Sequence, residues 1–439
     1  MIVENIVPTG FSPRRIAHFT EHTIRHLGCT PSGVVDNVDP VQRHPLPAKH
    51  FKVRVLFSTP TWVKGALKLL VTIFIIGTSV IGEASFAQGS PLGNTLTTVS
   101  EGLQLQDVSC PSSSECVAVG GDSAQYPIVV SETNGEWGKI IHIETTAKGI
   151  LQSISCASPL NCTAIGNYGT DPHAEGDSHQ SFSVFEKNGA WGSARALGPS
   201  DSGNLARISC TSSGNCVAVG FKPTSTPEDE LLTATLKHGV WSQINDVAVP
   251  GGGDFYGVSC PTIRGCVAVG SEGTGSHLRA IYANESGGNW GGISLVSPSV
   301  PAGLGDISCF TLKNCVAVGF EVSGNLSQIP GVASEVRGKW GNFTAKKSQL
   351  GQGSLLAVNC ASPGECAAVG SAGSLYNEVT YATMHLHKWG KFSDAGALRA
   401  NGYLNGVSCA NKHTCVAVGW HFVAKSTRYW GVAVQITIG

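Results

Sequence analysis

The side chains best suited to bind a ligand lie in one insertion, between Gly169 and Gln180. At every second position it carries a carboxylate or an imidazole: Asp171, His173, Glu175, Asp177 and His179. Alternate side chains of an extended segment face one side, and these groups bind divalent cations and polar ligands. The sequence therefore predicts a ligand-binding cluster here. The competing interpretation is a solvated acidic loop, because Pro172 and Gly176 interrupt a continuous strand.

Motifs for other chemistry are missing from the sequence. It contains no nucleophile elbow, P-loop or dinucleotide fingerprint. Sialidase-type hydrolysis would need an arginine cluster, a tyrosine nucleophile and acidic partners. Only seven arginines follow residue 87, and they are Arg195, Arg207, Arg264, Arg279, Arg337, Arg399 and Arg428. The sequence favours a binding protein over an enzyme, and it predicts no cofactor other than a divalent cation.

Fourteen of the 15 cysteines form seven pairs, each with five residues between its members. The pairs are Cys110/Cys116, Cys156/Cys162, Cys210/Cys216, Cys260/Cys266, Cys309/Cys315, Cys360/Cys366 and Cys409/Cys415. Zinc sites also use paired cysteines, but usually at shorter spacing and with a second pair nearby. Even numbers at fixed spacing in an exported chain indicate disulfides. Each pair is thus predicted to form a disulfide bond within its own repeat.

The cysteine pairs mark a repeat, because the first cysteines recur at intervals of 46, 54, 50, 49, 51 and 49 residues. A period near 50 is typical of solenoids and propellers. One period contains four strand-like segments joined by turns, at Phe255–Cys260, Cys266–Gly270, Leu278–Glu285 and Trp290–Val296. No helical pattern interrupts them. The predicted fold class is all-β, a seven-bladed β-propeller of four-stranded antiparallel blades.

The repeated phrase CVAVG indicates how neighbouring blades pack. Alternate residues of a strand face opposite sides, so cysteine, alanine and glycine share one face and the two valines share the other. A small face on one blade can then receive a bulky face from the next. The predicted disulfide closes the hairpin that precedes this strand, and on the chain-entropy model it contributes about 2–3 kcal/mol.

A tryptophan lies 19 or 20 residues before the next first cysteine in six repeats: Trp137, Trp191, Trp241, Trp290, Trp340 and Trp389. A glycine precedes five of them by two residues. This turn resembles the Asp-box (BNR) repeats of sialidase-like and photosystem-assembly-factor-like propellers. The phrase SCPSSSECVAVG resembles repeats of exported actinobacterial proteins. The resemblance covers residues 90–439 and implies a structural turn without a catalytic role. The aspartate of the Asp box is absent.

The last repeat is expected to lack a fourth strand of its own, because WGVAVQITIG, which fits a third strand, is the last segment of the sequence. The segment PLGNTLTTVSEGLQL, which precedes Cys110, occupies the place of a fourth strand. We expect residues 91–100 to pair with the strand near Val432–Ile438. Such an amino-terminal strand would complete the last blade and close the ring.

The amino terminus has the features of a secretory signal peptide. Basic residues precede the uncharged run Leu69–Gly82, and Ser85 and Ala87 form a small-residue cleavage site. The apolar run is short for a membrane span, and a retained anchor is the alternative. The predicted domains are a disordered or mis-assigned extension (1–50), the signal segment (51–87) and the propeller (88–439).

Charge excludes one class of partner. Residues 1–87 contain nine Lys and Arg and five Asp and Glu, so the remainder of this chain of net charge −1 carries about −5. A mildly acidic body has no electrostatic footprint for nucleic acid.

We expect a secreted or envelope-associated monomer that binds a protein or glycan through the variable loops after CVAVG. Any membrane contact is expected through the amino-terminal segment only. The alternative functions are a sialidase-like glycan hydrolase or lyase, and a structural assembly factor.

Overall fold

The computed structural model describes most of the chain after residue 95. The described ranges are 96–169, 180–223, 229–247, 253–263, 265–324, 326–346, 351–373, 378–395, 401–423 and 428–438. They are dominated by β-strands, with a short 3-10 helix at Gly275–His277. No helix in these ranges has the length and apolar character needed to cross a membrane.

The strands form seven antiparallel sheets, which are the blades of a seven-bladed β-propeller. The first strand of each blade packs against the first strands of its neighbours. The first strands are Leu103–Ser112, Gly149–Ser158, Asn204–Ser212, Asp254–Thr262, Ala302–Thr311, Gln352–Ser362 and Gly402–Cys409. The second strands are Glu115–Asp122, Asn161–Tyr168, Asn215–Lys222, Gly265–Glu272, Asn314–Val322, Glu365–Gly373 and Thr414–Val423. The third strands are Pro127–Thr133, Gln180–Lys187, Glu230–Lys237, Arg279–Ser286, Gln328–Val336, Glu378–His385 and Arg428–Thr437.

The fourth, outermost strand of blades 1 to 6 is divided into two short pieces that both pair with the third strand. The pieces are Glu136–Trp137 and Ile141–His142, Ala190–Trp191 and Arg195–Leu197, Val240–Trp241 and Asn245–Val247, Asn289–Trp290 and Ser294–Leu295, Lys339–Trp340 and Thr344–Ala345, Lys388–Trp389 and Ser393–Asp394. In blade 7 the outer strand is Leu96–Glu101, which pairs antiparallel with Arg428–Thr437.

The predicted packing of small faces against bulky faces is present between all seven pairs of blades. Val117 and Val119 of blade 1 pack against Cys162 and Ala164 of blade 2. The equivalent residues pack in the same direction around the ring, including from blade 7 to blade 1. A seven-fold repeat of one phrase therefore produces seven equivalent apolar interfaces.

The glycine of CVAVG is required by a contact within the blade. Every first strand has a register shift at the fourth residue before its first cysteine, where one residue bulges. Beside it, a Cβ on Gly220 would lie 1.9 Å from the carbonyl oxygen of Asn204, and one on Gly270 would lie 1.8 Å from that of Asp254. Any other residue would clash with backbone here.

All seven predicted disulfides are formed within their own repeats. Each joins the end of a first strand to the start of a second strand, with the Cα atoms 3.9–4.1 Å apart. Disulfides of this number are typical of proteins that fold in an oxidising compartment.

The two cysteines of a disulfide differ in burial, which their spacing in the sequence does not predict. The first cysteines are half-buried, apart from Cys260, which is buried. The second cysteines are only 0–3% exposed and lie in the apolar core between blades: Cys116, Cys162, Cys216, Cys266, Cys315, Cys366 and Cys415. They are core residues, because aliphatic side chains of the preceding blade cover them.

The residue before each first cysteine ties its blade to the next one. Ser109 Oγ accepts a hydrogen bond from the backbone N–H of Cys156 at 3.0 Å. The same bond occurs at every blade junction, with the amide oxygen of Asn359 replacing the hydroxyl once. Ser408 completes the circle by accepting from the N–H of Cys110 at 2.9 Å. We call this closed circle the serine belt, and it explains the serine in the repeated phrase.

The tryptophan of each outer turn packs against the preceding blade. Trp241 Nε1 donates to Ser183 Oγ of blade 2 at 3.1 Å, and the ring of Trp340 lies 5.5 Å from that of Tyr282 in blade 4. Within the turn, a buried glutamate opposite the tryptophan accepts from the turn glycine: Glu132 from the N–H of Gly135, and Glu285 from that of Gly288. The outer turn is thus a structural element.

Candidate functional site

The two ends of the ring differ in how much their loops vary. The disulfide end carries the cysteine-bridged loops, always of five residues, and the outer turns. The variable end carries the hairpins between second and third strands, which contain from four residues in blade 1 to 11 in blade 2. Binding residues concentrate on loops held by a rigid scaffold. The variable end is therefore the first place to look for a site.

The predicted cluster of Asp171, His173, Glu175, Asp177 and His179 lies outside the described residues. At the base of its hairpin, the rings of Tyr168 and Phe182 are stacked with centroids 4.6 Å apart. Beside them, Asn167 and Ser181 both bind the backbone of Leu205 in blade 3. The base of the longest hairpin is thereby fixed to the neighbouring blade.

Blade 7 contributes an aromatic cluster at the variable end. Tyr403 and Trp420 lie with ring centroids 5.0 Å apart, and Tyr429 meets Trp420 edge-on at 5.1 Å. Phe422 lies 5.5 Å from Tyr429. Tyr403 and Trp420 are buried, whereas Phe422 and Tyr429 are half-buried and reach the surface. Aromatic faces of this kind suit both sugar rings and apolar protein side chains.

A charged cluster lies at the ring axis, at the third residue before each first cysteine. The seven residues at this position are Asp107, Ser153, Arg207, Gly257, Asp306, Ala357 and Gly406. Neighbouring blades approach closely at this position: a Cβ on Gly257 would lie 2.7 Å from the Cα of Asp306, and one on Gly406 would lie 2.6 Å from the Cα of Asp107. The glycines and the alanine leave room for one long side chain.

Arg207 occupies that room. Its Nη2 donates to the carbonyl oxygens of Asn405 at 3.0 Å and Leu356 at 3.5 Å, which belong to the bulged residues of blades 7 and 6. Its guanidinium also lies 3.7 Å from a carboxylate oxygen of Asp107 and 3.9 Å from one of Asp306. Because one side chain from blade 3 contacts blades 1, 5, 6 and 7, its guanidinium must lie at the axis.

Both carboxylates of the axial cluster also bind the following blade. Asp107 Oδ2 accepts from Ser153 Oγ at 2.6 Å and from the N–H of Ile154 at 3.1 Å. Asp306 Oδ2 accepts from the N–H of Val358 at 3.0 Å. The carboxylates and the arginine therefore serve as links between blades, and their side chains are only 13–15% exposed.

Burial raises the pKa of Asp306 to about 6, and the negative charge of Asp107 adds to the rise. The positive charge of Arg207 and the backbone N–H groups of Val358 and Ile307 oppose it. A carboxyl group with such a pKa could donate a proton near neutral pH. In this structure, however, its oxygens are directed to the arginine and to backbone N–H groups.

The sequence does not reveal the axial cluster by a repeated residue, because the residue type at this position varies from blade to blade. The positions two and five residues before each first cysteine stay apolar, whereas the axial position carries charged, polar, alanine or glycine residues. The residue directly before the axial position varies as much, so this variation alone does not mark the cluster. Among the described residues, no group of three or more His, Cys, Asp or Glu side chains is arranged to hold a metal ion.

Comparison with known proteins identifies no family. No protein-family model matches the sequence, and no curated protein matches it. Among solved structures, a polysaccharide lyase of family PL25, an ulvan lyase, is 6% identical over 79% of this chain and 95% of its own, with a TM-score of 0.49. The NanB sialidase of Streptococcus pneumoniae is 10% identical over 78% of this chain and 69% of its own, with a TM-score of 0.40. The six-bladed lectin of Aleuria aurantia is 9% identical over 69% of this chain and 99% of its own, with a TM-score of 0.43. At these identities, the likeness extends to the propeller fold alone.

Proposed function

We propose that this protein is a secreted or envelope-associated binding protein that holds a protein or glycan ligand at the variable end of its propeller. The observation that carries this proposal is the contrast between the ends. Hairpins of four to 11 residues occupy one end of a ring whose other loops keep a fixed length. The serine belt and the disulfides hold that ring together without any contribution from the variable hairpins.

The contacts of the axial cluster favour binding over catalysis. A catalytic carboxyl pair must leave its oxygens free to reach a substrate. Here Asp107 and Asp306 already bind the next blade and flank Arg207. We therefore assign the axial cluster to the stability of the ring and the ligand to the surface of the variable end.

Two parts of the variable end would share the ligand. The first is the hairpin of blade 2, with Asp171, His173, Glu175, Asp177 and His179 as cation or polar-ligand residues. The second is the blade 7 aromatic cluster, whose half-buried Phe422 and Tyr429 supply apolar faces. Carboxylates combined with aromatic rings suit a glycan, which offers hydroxyl groups at its edges and C–H groups on its faces.

The outer turns support the proposed relationship to Asp-box propellers. The box aspartate is missing, but Glu132 and Glu285 bind the turn glycine through a carboxylate oxygen. We propose that glutamate performs in these turns the capping that the aspartate would perform.

A glycan array, followed by calorimetry with the best glycan and with calcium and zinc, tests the proposal. The test variants are replacement of residues 170–179 by a short Gly-Ser linker, and Phe422→Ala with Tyr429→Ala. Each should weaken binding at least about tenfold, and the linker should leave the melting temperature nearly unchanged, since surface-loop length costs little entropy. Leu160→Ser, at the disulfide end, is the matched control.

Equal binding by the wild-type and both variants would overturn the assignment to the variable end. Release of reducing ends from an array glycan, lost in Asp306→Asn, would instead favour the alternative of a glycan-processing enzyme.

A further inference from the structure

Blades 3 to 6 expose aliphatic side chains at the disulfide end. Among the described residues, four large apolar side chains are more than half exposed, and all four lie there: Val240 (70%), Ile263 (78%), Val336 (60%) and Leu386 (68%). Each belongs to a different one of four consecutive blades. A single exposed apolar residue is ordinary on a protein surface. Four at one end of adjacent blades form a face, which we call the tip face.

Basic residues surround these apolar tips. The described loops and turns of the tip face contain five basic residues, which are Lys237, Lys313, Arg337, Lys339 and Lys388. None of these five makes an ion pair with a described residue. The same loops and turns contain three acidic residues in their described part: Glu285 and Glu335 are buried in the outer turns, and Glu365 Oε2 is bonded to His385 Nδ1 at 2.8 Å. The tip face is therefore positively charged.

The variable end has the opposite charge. The described parts of its hairpins and their flanking strand ends contain twice as many acidic as basic residues. The acidic residues are Asp122, Asp229, Glu230, Glu272, Glu321 and Glu378, and the basic residues are Lys222, Arg279 and Arg428. Arg279 is paired with Glu272 at 2.8 Å, and Arg428 is paired with Glu101. The tip face of blades 3 to 6 is thus basic with apolar tips, whereas the described parts of the variable hairpins are acidic.

The fold does not require an apolar residue at the tip of blade 6. The equivalent outer turns of blades 1 and 2 have Asn134 and Asn188 at the left-handed position, with φ of 53° and 51°. Asparagine tolerates this conformation well. Blade 6 instead places Leu386 there, at φ 48°, although leucine is disfavoured at positive φ. An exposed leucine in an unfavourable conformation indicates a requirement that comes from outside the fold.

We propose that the tip face docks onto an anionic lipid bilayer. The apolar tips stand on separate loops and turns at one end of the ring, and basic residues lie in the same loops and turns. This arrangement matches a planar interface, in which aliphatic side chains enter the acyl boundary while Lys and Arg meet lipid phosphates. A protein partner would favour one contiguous apolar patch. Docking would direct the variable end away from the bilayer, and it adds a second membrane contact to the one expected at the amino terminus.

The test is co-sedimentation of the full-length protein with vesicles of phosphatidylcholine, alone or mixed with phosphatidylglycerol. The charge variant is Lys313→Gln, Arg337→Gln and Lys339→Gln, and the tip variant is Val240→Ser, Val336→Ser and Leu386→Asn. The charge control, Lys148→Gln, Lys222→Gln and Lys346→Gln, removes the same charge at the variable end. Each basic residue near an anionic surface adds about fivefold to affinity, so the charge variant should lose about a hundredfold. The tip variant should lose at least about tenfold.

Hydrogen–deuterium exchange gives a readout that does not depend on the apolar amino-terminal segment. Anionic vesicles should protect residues 237–240, 336–339 and 385–388 of the wild-type protein and leave residues 123–126 unchanged. Equal affinity for both vesicle types, or binding unaffected by either variant, would overturn the proposal. So would loss of binding in the charge variant alone, because the face would then recognise an anionic polymer and not a bilayer.

Discussion

Replacing Arg207 by methionine should destabilise the whole ring, because one guanidinium joins four blades to the one that carries it. Methionine keeps the apolar stem and removes the charge and the donors. The variant loses charged hydrogen bonds to the carbonyl oxygens of Asn405 and Leu356. It also leaves Asp107 and Asp306 largely buried without their counter-charge. Removing one partner from a buried ion pair typically costs about 3–5 kcal/mol, and we expect that cost at neutral pH.

The cost should depend on pH in a defined direction. Without Arg207, the pKa of Asp306 must rise above its present value of about 6, because the arginine lowers it. The folded variant then takes up protons that the unfolded chain does not bind, so its stability falls more steeply as the pH rises. At about pH 4.5, where the carboxyl group of Asp306 is protonated, the loss should be smaller, because this group then carries no charge that lacks a partner.

Unfolding in guanidinium chloride, followed by tryptophan fluorescence at about pH 4.5 and about pH 7.5, measures the loss in free energy of unfolding at each pH. Adding Asp306→Asn to Arg207→Met should recover part of the loss at the higher pH, since it removes an unpaired charge. A loss below about 1 kcal/mol at about pH 7.5, or an equal loss at both pH values, would refute the assignment of Arg207 as the axial link.

Three further changes test the ring. Folding raises the pKa of Asp306 from 3.8 to about 6. Its contribution to the free energy of unfolding is therefore complete below the pKa of the unfolded chain and is lost as the pH rises to about 6. Asp306→Asn should abolish this decline of about 3 kcal/mol, and unfolding curves with the same pH slope as the wild-type would contradict it. Ser209→Ala leaves the N–H of Cys260 without its acceptor and should cost about 1–2 kcal/mol in chemical denaturation. Asn359→Ser is its control, and a comparable loss there would argue against the serine belt. Deleting residues 88–101 removes the strand paired with Arg428–Thr437 and should lower the melting temperature by several degrees, since an edge opens. An unchanged calorimetric transition would exclude a role of this strand in closing the ring.

The repeated phrase was sufficient to predict the blades. Paired cysteines at constant spacing, alternating small and bulky residues in CVAVG, and a turn glycine before each tryptophan are local patterns, and each occurs in nearly every repeat. Local patterns repeated seven times leave little freedom in the fold, because every interface must be built in the same way. The disulfides, the strand order and the packing of valines on cysteine and alanine could therefore be deduced from the sequence.

The reasons behind two residues of the phrase became visible only in three dimensions. The serine before each first cysteine accepts a hydrogen bond from a residue about 50 positions away, in the next blade. The glycine of CVAVG is needed beside a bulge in the preceding strand. Both residues recur with the repeat, but their recurrence in the sequence does not show which contacts require them.

Tertiary structure alone decides which charged and which exposed apolar side chains from different blades lie together. Asp107, Arg207 and Asp306 are about 100 residues apart in sequence, and only ring closure brings them together at the axis. Val240, Ile263, Val336 and Leu386 likewise appear unrelated in sequence, until the blades place them at one end. The repeated pattern in the sequence determines the strand structure of each blade, because that structure depends on residues within one repeat. Which side chains from different blades meet depends on the geometry of the closed ring, and a linear pattern does not contain it.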